Sequence, residues 1–140
     1  MSTPEQKASL LVRLRANQRG CRLMKNNTGV AYDQFNRPVF FGLDNEGKKG
    51  PDDIRTPDWV GWHNVLITPE MVGKSIPVFT AIDAKKLGFK RKDSYSKGTR
   101  EFGQNKFFQQ VKKVNGVAGF ASCSADVDEI IDDFYKRIEG

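Results

Sequence analysis

An apolar stretch near the C-terminal end of the chain, residues 116–121, lies between two segments with helical periodicity. Such a short run is typical of a strand that is buried on both faces. Residues 100–114 precede it, and they place four apolar side chains on one helical stripe: Phe107, Phe108, Val111 and Val114. Residues 126–138 follow it as an acidic amphipathic helix. A strand between two helices predicts a sheet covered by helices.

The earlier part of the chain predicts one further helix and several strands. Thr3 is a suitable N-cap for a helix that ends near Gly20. Strands are predicted at residues 21–25, 37–43, 58–67 and 76–85, with turns or loops at 26–29, 44–56, 68–75 and 86–98. The last two strands are expected at the centre of the sheet. The order predicts an α/β fold with a mixed central sheet flanked by helices.

Length and composition bound the class of protein. The chain has 140 residues, of which 38% are hydrophobic and 29% are charged, so one globular domain over residues 1–140 is expected. No apolar run approaches the ~20 residues that cross a bilayer, and the N-terminus lacks a signal-peptide pattern. We therefore expect a cytoplasmic protein without a membrane partner, in the host cytoplasm if a phage encodes it.

The cysteine and histidine content makes some chemistries less expected than others. Cys21 and Cys123 are far apart and belong to no CxxC pair, so neither a zinc site nor a disulfide framework is indicated. His63 is the single histidine of the sequence. Carboxylate chemistry is therefore a more natural expectation than a histidine-based triad.

The formal charge of +6 is unevenly distributed along the chain. Between Lys85 and Arg100 there are seven cations and one acid, whereas the chain after Ser124 is mainly acidic. A basic side suits a polyanionic partner, because cations that neutralise phosphates release counterions from nucleic acid. A solvated charged surface explains the charge equally well.

The pair Asp83 and Lys85 is the first candidate for chemistry. Side chains alternate along a strand, so these two project on the same face about 7 Å apart along the chain. Asp83 also follows an apolar run, where a charge is costly unless something compensates it. On spacing alone, an ion pair at a strand end is the favoured interpretation.

A divalent cation is the alternative partner for Asp83. If neighbouring strands bring Asp58 beside Asp83, the two carboxylates and the Ala84 carbonyl are hard oxygen ligands suited to Mg²⁺ or Mn²⁺. Lys85 would then orient water or stabilise anionic charge, and its pKa is expected to be lowered near buried cations. Such a centre would hydrolyse a phosphodiester.

The chain resembles the PD-(D/E)xK nuclease superfamily, and within it the VRR-NUC branch. The resemblance covers nearly the whole chain and is carried in order by KNNTG at 25–29, RPVFFGL at 37–43, PDWVG at 57–61, AIDAK at 81–85, Gln104 with Phe107 and Phe108, and GVAGFA at 116–121. It implies a restriction-endonuclease-like core and a metal-dependent nuclease.

The resemblance also implies roles for individual residues. Asp58 and Asp83 would bind metal and Lys85 would be catalytic, with Glu5 and Gln104 approaching the site. Two departures bear on metal geometry: Asp83 stands where the branch usually has glutamate, and Ser9 where it commonly has glutamine. Glu5 is equally well explained as an acid at the positive end of its helix.

Candidates for DNA contact are mostly cations beyond the DxK strand, which would hold phosphates without reading sequence. The set consists of Lys86, Lys90, Arg91, Lys92, Lys97 and Arg100, together with Lys25, Asn26 and Asn27. The two asparagines are more simply explained as turn formers.

The resulting hypothesis is a metal-dependent DNA endonuclease, selective for branched or flap DNA or four-way junctions, in repair, recombination or phage replication. Four-way junction cutting would require two active sites and hence a homodimer. Two rivals stay open: a non-catalytic nucleic-acid-binding module, and a phage protein that binds a host protein.

Overall fold

The computed structural model describes residues 2–47, 50, 52–53 and 55–140, and it divides the chain into two compact units, Met1–Leu66 and Ile67–Gly140. The described residues form three α-helices and six strands. In chain order these are α1 Pro4–Gln18, β1 Cys21–Lys25, β2 Gly29–Tyr32, β3 Pro38–Phe41, β4 Trp59–His63, β5 Thr80–Ala84, α2 Arg100–Lys113, β6 Val117–Ala121 and α3 Ser124–Glu139. The predicted mixed α/β class is confirmed.

Helix α1 begins as its sequence predicts. The Thr3 hydroxyl accepts a hydrogen bond from the Gln6 backbone N–H, and the Gln6 side chain accepts one from the Thr3 N–H. This reciprocal capping box satisfies two donors that the first turn would otherwise leave unpaired. The helix ends at Gln18, and Gly20 follows with a φ of 86°, a conformation that glycine adopts without strain.

Two antiparallel pairs make up the strands of the first unit. β1 pairs with β4, with Cys21 opposite His63 and Lys25 opposite Trp59. β2 and β3 form a hairpin whose turn is held by Asp33, because its carboxylate accepts from the backbone N–H groups of Phe35 and Arg37. The hairpin partner β2 was not predicted.

The second unit contains a parallel pair of strands. β5 pairs with β6 in parallel, and α2 connects them. Such a connection requires a crossover, which the helix supplies. Every residue of β6 is buried, and the core is completed by α2 and α3: it contains Val111, Phe108 and Ile130. The predictions for these two helices and for β6 are confirmed.

Strands β4 and β5 are shorter than predicted and have other partners than predicted. The strand predicted at 58–67 is reduced to β4, and the strand predicted at 76–85 is reduced to β5. β4 and β5 were expected to be central neighbours in one sheet, but they belong to different two-stranded sheets, because each finds its partner in β1 or β6. The predicted loop at 44–56 has no regular structure where it is described, and four of its residues, 48, 49, 51 and 54, lie outside the described ones.

Among the described helices, none combines the length and the apolar character that crossing a membrane requires.

Candidate active site

The predicted DxK pair forms a direct contact at the end of β5. Lys85 Nζ lies 3.0 Å from Asp83 Oδ2, and both side chains project from the same face of the strand. The Lys85 backbone N–H donates to the Ala121 carbonyl at 2.8 Å, so the parallel pairing with β6 continues through this residue. The backbone hydrogen bond therefore fixes the position of Lys85, and the charge of Asp83 attracts its ammonium.

Helix α2 brings two further side chains to the lysine. Gln104 Oε1 accepts from Lys85 Nζ at 3.1 Å, and Gln104 Nε2 donates to Asp83 Oδ1 at 3.0 Å. Glu101 Oε1 lies 3.2 Å from the same ammonium. The predicted residues Asp83, Lys85 and Gln104 thus meet in one network.

Glu101 belongs to this network although it was not predicted as a site residue. It lies three residues before Gln104 on α2, and residues at this spacing share one helix face. The helical stripe that predicts α2 therefore contained the signal. Glu101 was not predicted because it belongs to none of the motifs that carry the resemblance.

The network shifts the pKa of its charged members. The hydrogen bond to the Asp83 carboxylate raises the pKa of Lys85 above its usual range, against the opposing effect of burial and with added support from Glu101. The pKa of Glu101 is lowered, first by a hydrogen bond from its own backbone N–H and then by the Lys85 ammonium. The lowering of the Lys85 pKa that was expected beside a bound cation stays a prediction.

Two aromatic rings complete the surroundings of the lysine. Lys85 Nζ lies 5.2 Å from the centroid of Phe120 and 5.8 Å from that of Phe89, within the range of cation–π attraction. Phe120 is buried on β6, whereas Phe89 belongs to the basic segment that follows β5. The ammonium therefore has carboxylate, amide and aromatic partners.

The basic segment after β5 divides into one internally paired cation and several exposed ones. Arg91 Nη1 lies 2.6 Å from Glu129 Oε2 and 3.7 Å from Asp126 Oδ1, so it ties the segment to α3. The remaining candidates for DNA contact are exposed, namely Lys86, Lys90, Lys92, Lys97 and Arg100.

In the first unit, Asn26 holds the backbone around Asp58. Its amide group donates to Thr56 Oγ1 at 2.8 Å and to the Pro57 carbonyl at 2.9 Å, and its backbone N–H donates to the Asp58 carbonyl at 2.7 Å. The side-chain oxygen Oδ1 of Asn26 accepts from the Leu43 N–H at 3.0 Å. The side chain is buried and fully occupied within the protein, which is a structural role.

Of the other candidates of the first unit, Lys25 lies beside Trp59. Lys25 Nζ lies 5.0 Å from its ring centroid, and the Trp59 indole donates to Ser9 Oγ at 2.8 Å. Ser9 thus docks α1 on β4. Glu5 lies one turn earlier and is exposed, as are Asp58 and Asn27.

The structure therefore joins Asp83, Lys85 and Gln104 in the second unit, and it places Asp58 and Glu5 in the first unit. Within the described part of the chain, no group of three or more histidine, cysteine, aspartate or glutamate side chains is arranged to hold a metal ion. The predicted sharing of a cation by Asp58 and Asp83 stays a prediction.

Comparison of the chain with models of protein families, with curated proteins and with solved structures finds no match.

Proposed function

We propose that this chain is a metal-dependent DNA endonuclease built on a restriction-endonuclease-like core, with Asp83, Lys85 and Gln104 at its reactive centre. One observation carries the proposal: a strand-end carboxylate, an ammonium and an amide are joined by mutual hydrogen bonds of 3.0–3.1 Å. The exposed cations of the segment after β5 supply the charge that a phosphate backbone requires. The centre and the cations belong to the same unit.

The oxygen atoms near Lys85 are of the type that a hard divalent cation prefers. Asp83 and Glu101 would supply carboxylates, and the Ala84 carbonyl at the strand end would be a third oxygen ligand. Mg²⁺ is commonly held by one or two carboxylates and completes its shell with waters and substrate phosphates. When bound, Mg²⁺ or Mn²⁺ would activate water and stabilise charge on a phosphodiester.

Lys85 acts in this proposal as a cation rather than as a base. An ammonium has three donors, and three acceptors surround Lys85 Nζ within 3.2 Å: one oxygen each of Asp83, Glu101 and Gln104. A phosphate oxygen would replace one of these acceptors and receive a charge-assisted hydrogen bond. Lys85 would thereby stabilise the negative charge that develops in the transition state.

Gln104 positions the other two groups. Its amide donates to one oxygen of Asp83 while its carbonyl accepts from Lys85, so the carboxylate and the ammonium have a common support on α2. A rigid support of this kind keeps reacting groups in a productive geometry. We infer that the Gln104 side chain is a positioning group.

The first experiment is a cleavage assay on end-labelled duplex, single-stranded, flap and four-way DNA with Mg²⁺, Mn²⁺ or EDTA. Asp83→Ala and Lys85→Ala should each lower the cleavage rate by about a hundredfold or more. Asp132→Ala and Lys113→Ala are matched controls, because they remove the same charges from exposed positions of α3 and α2. Metal-independent cutting, or cutting retained in both site variants, would contradict the proposal.

Asp58 and Glu5 are tested in the same assay. Asp58→Asn and Glu5→Gln remove one negative charge each from the first unit without changing side-chain size. A rate loss with Asp58→Asn that matches the loss with Asp83→Ala would support a shared cation. Wild-type rates would restrict the metal ligands to the second unit.

A non-catalytic nucleic-acid-binding module is the second candidate, and the saturated state of Lys85 favours it. An ammonium that already has three acceptors neutralises its carboxylates without any metal. This candidate predicts salt-sensitive DNA binding with no strand cleavage under any metal condition. The same assay, run beside a binding titration, separates the two functions.

The homodimer stays a prediction. It bears on the assay because four-way junction cutting would require two active sites. Leu10, Leu11 and Leu14 of α1 are each more than half exposed, and apolar patches of this kind often mark interaction surfaces. Light scattering at several protein concentrations gives the oligomeric state. A monomeric mass together with four-way cutting would contradict the two-site argument.

A further inference from the structure

The segment between β5 and α2, together with Glu101 of α2, lines an open cavity of about 460 Å³ beside the Lys85 network. This size lies within the range of about 300–1,000 Å³ that is usual for small-molecule sites. Its lining combines two aromatic rings, two lysines, three hydroxyl side chains and one carboxylate: Phe89, Tyr95, Lys90, Lys92, Ser94, Ser96, Thr99 and Glu101. The cavity lies wholly within the second unit.

The aromatic wall is braced before any ligand binds. The rings of Phe89 and Tyr95 are nearly parallel, at 11°, and both pack against the buried Phe120, with centroid distances of 5.6 Å and 5.2 Å. The Tyr95 hydroxyl accepts from the Lys92 backbone N–H at 2.8 Å. Arg91 ties the same segment to α3. A preformed wall lowers the entropy cost of binding.

The side chains of the lining are of the types that bind the base, the sugar and the phosphate of a nucleotide. Aromatic rings bind unpaired bases by stacking, which tolerates any base because every base has a π-face. Lys90 and Lys92 supply charge for a phosphate, and Ser94 and Ser96 supply hydroxyl groups for sugar or phosphate oxygens. The two lysines outnumber the one carboxylate, so an anionic ligand is favoured.

Glu101 connects the cavity to the network. It lines the cavity and also accepts from Lys85 Nζ at 3.2 Å. A nucleotide held there would place a neighbouring phosphate of the same strand close to Lys85. A duplex buries its bases in the stack, whereas an unpaired nucleotide offers its base to the wall.

We propose that this cavity binds one unpaired nucleotide of a DNA substrate, with its base on the wall formed by Phe89 and Tyr95 and its phosphate near Lys90 and Lys92. The proposal rests on the proposed function, since it names the part of a flap or single-stranded substrate that the site recognises.

The test is binding by the full chain in EDTA, measured by fluorescence anisotropy with a labelled oligothymidylate and with a duplex of equal length. Ser94→Phe adds a bulky side chain to the cavity lining at an exposed position and is expected to occupy the space for a base. It should weaken single-strand binding by about tenfold, the effect of losing one stacked base. Duplex binding should weaken less.

A variant that lacks two lysine charges provides the second part of the test. Lys90→Gln with Lys92→Gln should also weaken single-strand binding, and Lys113→Gln with Lys136→Gln removes two charges from exposed helix positions as the matched control. Thymidine monophosphate as competitor distinguishes a free nucleotide from a nucleotide within a strand.

Two outcomes would overturn the proposal: no single-strand binding by the wild type, or equal binding by the wild type, Ser94→Phe and the double lysine variant. Binding that depends on these positions without any metal-dependent cleavage would support the cavity and contradict the nuclease. Cleavage that is insensitive to Ser94→Phe, together with unchanged binding, would support the nuclease and contradict the cavity.

Discussion

Lys85 Nζ and Asp83 Oδ2 lie 3.0 Å apart on one face of β5. The contact is closed by groups from α2, since Gln104 bridges both residues and Glu101 adds a second carboxylate to the ammonium. The ammonium is thereby balanced by two acids before any substrate arrives. Under the proposed function, a polyanion would have to compete with one of these acids, so Glu101 is expected to lower DNA affinity.

Removal of Glu101 should strengthen DNA binding in the absence of metal. Glu101→Ala gives Lys85 a free donor and removes a negative charge that repels phosphate, so affinity for duplex DNA in EDTA should rise roughly two- to fivefold. Asp132→Ala removes one charge from an exposed position of α3 and serves as the control. An equal gain with both variants would attribute the effect to net charge alone.

Arg91 should contribute to stability rather than to DNA affinity. Its guanidinium is paired with Glu129 and Asp126, so Arg91→Gln should lower the thermal midpoint and change the salt dependence of DNA binding little. Lys92→Gln should leave the thermal midpoint nearly unchanged and reduce the slope of log affinity against log salt by about one unit. Thermal melts and salt titrations of both variants test the contrast. A larger loss of salt dependence with Arg91→Gln would contradict it.

Asn26→Ala should destabilise the first unit. The substitution removes a buried amide that joins three separate backbone segments, and unsatisfied partners cost about 1–3 kcal/mol of unfolding free energy. Asn27→Ala is the matched control, because Asn27 is the next residue in the sequence and its side chain is exposed. Urea unfolding gives both values. Equal stability of the two variants would show that the hydrogen bonds around Asp58 contribute nothing.

Acid should weaken the start of α3. The Ser122 backbone N–H, with smaller help from the Ser122 hydroxyl, Cys123 and Arg91, holds the pKa of Asp126 below its ordinary value of 3.8 despite the opposing effect of burial. A lowered folded-state pKa contributes stability that is present above 3.8 and is lost as the pH falls through the folded value. Asp126→Asn should therefore lose stability at neutral pH and show a weaker acid dependence than the wild type.

The measurement for Asp126 is the urea midpoint at neutral pH and at several values below 3.8. Asp128→Asn, an exposed acid on the same helix, should keep the wild-type profile. Parallel pH profiles for the wild type and Asp126→Asn would mean that the carboxylate does not stabilise the helix start.

Local pattern predicted much of the secondary structure. The capping residue Thr3 and the apolar stripes predicted α1, α2 and α3, and the run 116–121 predicted β6, because helix periodicity and buried strands are visible within ten to fifteen residues. The two-residue alternation of a strand also predicted that Asp83 and Lys85 share a face. Each of these features depends on neighbours in the chain.

Tertiary structure decided the features that depend on distant residues. Strand pairing joined β4 to β1 and β5 to β6, and no local pattern specifies which strand becomes a neighbour. The partners of long charged side chains also depend on packing, since Arg91 pairs with Glu129 of α3 and Glu101 pairs with Lys85. Sequence alone therefore determined the elements and the facing pair on β5, whereas packing determined the partners of that pair, because their positions depend on how α2 crosses the strands.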